Sequence, residues 1–536
     1  MSETSSINNS KFAKLDEQGR RSLNKLVPDP VAVCATGSKG NETMVAKYAA
    51  LTQSVIGELP QVKAEDIPEI FERARTAAKA WQETTFAERS ALVRRFARIV
   101  LDEQDAILDV IQWENGKNRA SAFEEYYDVI NNSLYYARRA EKFLKPRNVL
   151  GAVPGMTFTK VQYLPLGVVG VITPWNYPFN LSISDAIPAL MAGNAIVLKP
   201  DSQTPYCALV VRSLLTRAGF PADLFQVVIG TGREIGNPLI DNSDYMMFTG
   251  STATGRSIAK RSGENLIGFS AEMGGKNPMI IRADAPLPRA AKGAAKACFS
   301  SSGQLCISVE RMFIHKDIWD EFVPAFVAAA NAIKLDAAMD WKSDMGPLIS
   351  DAQLTKVQEH IKDALDKGAT LLAGGELRTD IAPRAFPPTV LTDVTPDMRV
   401  FAEETFGPVV SLYKVDSDEE ALEKANATNY GLNGAIWSSD LKTAQKLAKR
   451  LLTGSVNIND GYAATWGSIG APTGGIKDSG LADRHGREGI LKYTDTQTVA
   501  TQHIMHIAAP KWLGEKNWAR FMHVFSSIQH KLRISL

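Results

Sequence analysis

Past residue 146 the chain changes texture, and this change limits its fold more than any other feature. Short β-branched runs punctuated by Gly and Pro, "TKVQYLPLGVVGVITPWNYP", "NAIVLKP", "DLFQVVIG", "YMMFTGS" and "NPMIIRA", are separated by stretches of helical spacing such as "PYCALVVRSLLTRAG". Strands alternating with helices imply an α/β fold, a parallel sheet covered on both faces. A second alternating block, from about 276 to 480, holds "ATLLAGG", "PPTVLTDV", "VVSLYKV", "NGAIWSS" and "GSVNIN". At 536 residues the chain is too long for one compact core, so two large domains are expected. Residues 65–145 repeat apolar positions every three or four residues and read as helices. "YTDTQTVATQ", near 493, reads as a late strand able to pair with the strand near 160. Residues 1–60 begin rich in Ser, Asn, Gly and Lys, and read as a poorly ordered tip leading into an extended arm.

Charge and cysteine content narrow the function classes. Lys plus Arg is 60 against 59 for Asp plus Glu, so no net field points to nucleic acid. Four cysteines, Cys34, Cys207, Cys298 and Cys306, are too few for a disulfide framework and suggest a reducing compartment. The opening "MSETSSINNSKFAK" lacks a signal-peptide core, and no stretch approaches 18 uninterrupted apolar residues, so a cytoplasmic location is expected. The seven histidines are scattered, none in a ligand-spaced pair with acids, and no metal site is expected.

Several residues can carry chemistry. In "SSSGQLCISVER", Cys306 follows a Gly-Gln pair that can present a side chain. A thiolate is a nucleophile, whereas most free cysteines simply pack inside. In "FSAEMGGKNP", Glu272 lies in an apolar setting against a Gly-Gly turn, where a carboxylate has a raised pKa and can act as a base. Pairing with Lys276 is the plainer alternative. In "TPWNYPFN", Asn176 follows Trp175 at a strand end, where its amide can donate to an oxyanion or merely shape a turn. Lys199 directly follows a buried strand in "IVLKPDSQTP". "FTGSTATG" gives a strand, Gly250, Ser251 and a helix start, whose free N–H groups can hold a pyrophosphate. "VVIGTGREIG" adds Gly230 and Gly232, a loose GxG that any βα turn can contain. "FAEETFGPVV" places Glu403 and Glu404 before a turn containing Phe406.

In this order and spacing the segments resemble the NAD(P)-dependent aldehyde dehydrogenases over roughly residues 60–500. The most specific marks are "MGGK" after Glu272, "GQLC" ending at Cys306, and "EETFGP"; Glu272 and Cys306 are 34 residues apart. The resemblance implies a Rossmann-like cofactor domain at 61–146 and 166–274 and an α/β catalytic domain at 275–489. It also implies a small β oligomerisation element at 147–165 and 490–504, between the 1–60 arm and a 505–536 amphipathic tail. It implies that Cys306 attacks the aldehyde, that Asn176 and the Cys306 N–H hold the oxyanion, and that Glu272 activates water to release the acid. Trp175, Lys199, Ser202, Gly232, Gly250, Ser251, Glu404 and Phe406 are the implied cofactor-binding residues. A homodimer or homotetramer is implied, with a small-molecule aldehyde as its partner.

Two positions bear on specificity. In many NAD-preferring relatives a Glu follows Lys-Pro-x and would repel a 2′-phosphate; here the residue is Ser202, which favours NADP, with NAD as the alternative. The chain looks most like the NADP-type succinate-semialdehyde dehydrogenases. Yet the two arginines that hold the substrate carboxylate in better-known members are Ser184 and Ser300 here. A carboxylate desolvated without a cation is costly, so an apolar or aromatic aldehyde is the alternative substrate. Ser308 replaces the cysteine that some relatives carry two residues after the nucleophile, which argues against a disulfide switch. In the tail, Trp518, Phe521, Phe525, Ile528 and Leu532 recur at helical spacing, and Lys511, Lys516, Arg520, Lys531 and Arg533 face one acid, Glu515. Packing on its own or a partner subunit is the favoured reading of this helix; a membrane surface and a lid over the substrate tunnel are the others. A non-catalytic family member is the reading from a different class, and the intact Cys306, Glu272, Asn176, Lys199 and Glu404 speak against it.

Overall fold

The computed structural model describes residues 3–40, 42–151, 157–502 and 508–532, with the side chains of 3–9 and of Leu532 left out. The unplaced positions of the expected arm, of the 147–165 and 490–504 strands and of the tail, including Arg533, lie outside the described residues.

One six-stranded sheet runs in the order Gly480–Leu481, Gly268–Glu272, Tyr245–Thr249, Val168–Ile172, Ala195–Lys199, Phe225–Val227. All but the first pair in parallel. Ala195–Lys199, Phe225–Val227 and Tyr245–Thr249 are buried along their whole length, which is why their sequences show no polar alternation. From Val168–Ile172 the chain winds outward first to one side and then to the other. The crevice at this reversal opens at the carboxyl ends of Val168–Ile172 and Tyr245–Thr249, where doubly wound sheets bind ligands. Trp175 and Asn176 follow the first of these strands, and Gly250 and Ser251 the second.

A seven-stranded sheet has the order Thr370–Ala373, Thr389–Thr392, Val409–Val415, Val309–His315, Asn277–Ile281, Asn433–Trp437, Ser455–Ile458. It is parallel except for its first edge strand. Cys306 lies on the loop entering Val309–His315, and Glu404 and Phe406 on the loop entering Val409–Val415. The entrances of this sheet thus meet the exits of the first. Gly480–Leu481, late in the chain, pairs back onto Ala271 and Glu272. The late strand Thr494–Gln502 pairs antiparallel with Thr157–Pro165, Thr494 opposite Pro165, and Arg147–Leu150 completes a three-stranded sheet.

The first 60 residues differ from the extended arm read from sequence. Glu3–Leu26 is a helix, and Thr43–Tyr48 pairs with Val55–Gln61 as a hairpin. The helix is too polar to be seen as amphipathic from its sequence; tertiary contacts hold it. Asp16 accepts from the Trp113 indole N–H at 2.7 Å, and Gln18 and Ser22 donate to Asp109. Gly19 faces the Trp113 ring so closely that a Cβ would collide with it.

Candidate active site

The three motifs meet because their backbones touch. Gly303, with φ +67°, sits where a Cβ would strike the Gly407 carbonyl, so the Cys306 loop closes directly on the Phe406 turn. A Cβ at Gly274 would come within 2.5 Å of a Glu404 carboxylate oxygen, and one at Gly275 within 2.8 Å of the Cys306 carbonyl. The glycines of "MGGK" are therefore the space between Glu404 and the cysteine loop. Ser301 and Ser302, at φ 52° and 58°, lie in the left-handed region just upstream of the cysteine. Such strain costs about 1–3 kcal/mol per residue and persists where the surroundings fix it.

Asn277 fixes the loop, its amide donating to the Cys306 and Ser308 carbonyls at 2.7 Å each. Lys276 is 2.5 Å from Glu310, not paired with Glu272, and Glu310 also accepts from the Thr405 and Phe406 N–H groups. This removes the plainer reading of Glu272. Ser308 donates to the Cys298 carbonyl at 3.0 Å, and Cys298 itself is buried in the helix Leu287–Phe299.

Cys306, Glu272, Asn176, Trp175, Gly250, Ser251, Glu404 and Phe406 line one cavity of about 180 Å³. Burial, with the charges of Glu272 and Glu404, pushes the Cys306 thiol up to about 12, against an opposing pull from Arg484. Burial raises Glu272 to about 7, with Arg484 and Lys492 pulling it down. Glu404 is also raised to about 7, by burial and by Glu310, while the Gly275 N–H donates to it at 2.8 Å. The Asn176 amide donates to the Gln304 carbonyl at 3.2 Å, and its own oxygen is buried without a partner. Its backbone is fixed from below: Lys117 donates to the Asn176 carbonyl and to Glu125 at 2.5 Å each, and Glu125 accepts from the Phe179 and Asn180 N–H groups. Lys117 and Glu125 have 0% side-chain exposure.

The cavity continues past Trp175, Thr249, Gly250 and Ser251 into a cleft of about 530 Å³ that also contains Lys199, Ser202 and Gly232. These residues fit a dinucleotide. Ser251 caps the helix Thr252–Glu264, Thr231 caps Gly232–Asn242, and both helix starts face the cleft with unpaired N–H groups suited to phosphate. Nothing stands within 4 Å of a Cβ on Gly232, leaving room beside it. Lys199 is nearly buried, with the Pro200 carbonyl at 2.9 Å. Gly230 packs against Ile235 and does not line the cleft, and Glu403 pairs with Arg399 instead of entering the cavity.

On the other side of Cys306, its neighbours Leu305 and Ile307 pack with Tyr177, Leu181 and Tyr462. Both tyrosine hydroxyls donate to Glu124, Tyr177 at 3.3 Å and Tyr462 at 3.1 Å. Lys296 is 3.9 Å from the same carboxylate, which burial holds above its usual range. Glu124, Lys296 and Ser300 line an adjoining cavity of about 360 Å³.

Sequence reasoning missed Arg484, Lys117, Glu125, Glu310 and Glu124. Arg484 is buried, donating to Asp185 at 2.8 Å and Thr249 at 2.6 Å. Glu310 left a signal, a carboxylate inside the otherwise apolar run "VERMFI". The others lie in segments of ordinary helix or loop composition.

A model of the aldehyde dehydrogenase family matches residues 36–499. A Mycolicibacterium smegmatis protein named putative succinate-semialdehyde dehydrogenase, NADP(+), is 50% identical over 464 residues, covering 87% of this chain and 90% of its own. A 4,4'-diapolycopene aldehyde oxidase from a Methylomonas species is 35% identical over 490 residues, covering 90% and 91%. The crystal structure of betaine aldehyde dehydrogenase from Staphylococcus aureus in complex with NAD+ superposes with a TM-score of 0.83 at 30% identity, over 89% of this chain and 96% of that one. This chain belongs to the aldehyde dehydrogenase family.

Proposed function

We propose that Cys306 is the nucleophile, Glu272 the base and Asn176 an oxyanion donor in the oxidation of an aldehyde to a carboxylic acid, with NADP held by the Lys199–Ser202 cleft. The observation that carries this reading is the single cavity in which these three residues meet, opening onto that cleft. The Cys306 thiol gives its proton to Glu272, and its sulfur bonds to the aldehyde carbon. The resulting alkoxide is held by the Asn176 amide and the Cys306 N–H; one such donor contributes about 2.7–4 kcal/mol. A nicotinamide dinucleotide held by Trp175, Lys199, Gly232, Ser251 and Glu404 would supply the acceptor for the hydride that leaves this carbon. Glu272 passes the cysteine's proton on to solvent, and the regenerated carboxylate then takes a proton from the water that opens the thioester, releasing the acid and the Cys306 sulfur. Glu404 and Lys199 orient the riboses, the Gly232 and Ser251 helix starts hold the phosphates, and Ser202 leaves room for a 2′-phosphate.

The substrate we propose is succinate semialdehyde, named for the mycobacterial relatives that share half of their residues with this chain. A second reading, an apolar or aromatic aldehyde, is favoured by the Tyr177, Leu181 and Tyr462 wall and by Glu124 beside Ser300, where a substrate carboxylate would meet like charge. The Methylomonas relative named for a carotenoid aldehyde supports it as well. We place the enzyme in the cytoplasm, a reading that the four free cysteines support, and propose that it works as a homo-oligomer.

Initial rates with succinate semialdehyde, butanal and benzaldehyde, each with NADP and NAD, separate the two readings: the preferred aldehyde has the higher kcat/KM. Cys306→Ala is expected to abolish oxidation with every aldehyde while cofactor titration stays at wild-type affinity. Turnover retained in that variant would overturn the mechanism.

A further inference from the structure

The C-terminal helix Gly514–Leu532 stands apart from the fold. Among the described residues, its hydrogen bonds and ring contacts stay within the helix, apart from the Gly514 N–H donating to the Pro510 carbonyl just ahead of it, and no ion pair joins it to the fold. None of its described side chains enters an apolar cluster of the fold. None lines the Cys306 cavity, the cofactor cleft or the cavity at Glu124, so neither packing on its own subunit nor a lid over the substrate describes it.

Its residues sort into two arcs at 3.6 per turn. On one, Trp518, Phe521 and Phe525 stack in a row, with ring centroids 5.5 and 6.5 Å apart. Val524 and Ile528 widen this arc, and Phe521, Val524 and Ile528 are 54%, 55% and 49% exposed. On the opposite arc lie Lys516, Arg520 and His523, with Lys531 at the border beside Val524. Lys511 and Trp512, the latter 82% exposed, precede the helix, and Glu515 is its only acid. The whole chain balances 60 basic against 59 acidic residues, so the positive surplus is local to this segment.

We propose that this helix lies in the plane of an anionic membrane surface, its aromatic arc at the headgroup–acyl boundary and its cations among the lipid phosphates and carboxylates. Charge complementarity selects this occupant. A groove on a second copy of the chain would need the aromatic arc alone, whereas a negatively charged interface uses both arcs and also accepts the neighbouring Trp512 and Lys511. The helix anchors without spanning: no helix among the described residues is long and apolar enough to cross a bilayer.

The full-length protein is mixed with vesicles of phosphatidylcholine, with or without phosphatidylserine, and floated on a density gradient. It is expected to rise with the anionic vesicles at low salt, to remain behind with the neutral ones, and to be released by high salt. The double variant Phe521→Ser with Ile528→Ser, and separately Lys516→Glu with Arg520→Glu, should each lower the bound fraction by about tenfold or more. Both should keep wild-type turnover of a soluble aldehyde and wild-type sedimentation, since no residue of the site lies in the helix. Absence of flotation at low salt overturns the proposal. So does wild-type binding by the apolar variant, or a fall in its oligomer mass, which would mean that a second copy covers the aromatic arc.

Discussion

Because burial and two nearby carboxylates push the Cys306 thiol up to about 12, the resting sulfur carries its proton and needs a base before it can attack. In the proposed mechanism Glu272, at about 7, is that base in its ionised form, so the rate of thioester formation should rise with pH through about 7 and then level off. Glu272→Gln removes the titrating group. In rapid mixing, the burst of NADPH in this variant is expected to be slower by about 10²–10⁴-fold near neutrality and to keep rising with pH, with no plateau. A plateau that persists near 7 would clear Glu272 of the first proton transfer and leave it only the hydrolytic one. Ser202 decides a second matter. Ser202→Glu puts a carboxylate where a 2′-phosphate would lie and is expected to shift the ratio of kcat/KM values toward NAD; an unchanged ratio would mean that other groups read the ribose.

At the scale of elements, the site is made by turns that interlock. Gly303→Ala forces a Cβ into the Gly407 carbonyl at a left-handed residue, costing about 1–3 kcal/mol from the backbone alone. Its expected signature is a lower denaturant midpoint together with lost activity; unchanged values of both would show that the two turns can separate freely. The same interlocking explains what could be read in advance. "MGGK" and "GQLC" need their glycines where another motif approaches, and Gly407 of "EETFGP" needs its own where Val357 of the helix Asp351–Asp366 packs against it. Lys117 and Glu125 pair with each other over eight residues, but the backbone they hold lies 59 and 54 residues away and the Asp185 partner of Arg484 299 residues away, and nothing in their local sequence marks them. The parallel strands were legible from uniformly apolar runs. The helix Glu3–Leu26 was not, because its stability resides in Trp113 and Asp109 on another element.

At the scale of the whole molecule, the three-stranded sheet of Arg147–Leu150, Thr157–Pro165 and Thr494–Gln502 projects apolar side chains outward, including exposed Leu150 and Val499. Exposed apolar groups on a strand edge or face favour pairing with another copy. Leu150→Glu combined with Val499→Glu is expected to lower the mass in sedimentation velocity while leaving the catalytic cavity intact; an unchanged mass would move the assembly surface elsewhere.

The pairing of Gly480–Leu481 onto Ala271 and Glu272 has a consequence for how the protein is made. The strand bearing Glu272 has a neighbour that leaves the ribosome more than two hundred residues after it, at about 5–20 residues per second. During that interval the six-stranded sheet presents an unpaired edge at the strand Gly268–Glu272. That edge gains its neighbour only once Gly480–Leu481 has emerged, and a chain truncated before this point would leave it open to another strand. Products shortened before Gly480 are expected to aggregate more readily than the full chain, because their open edge is fixed by the order in which the residues are synthesised.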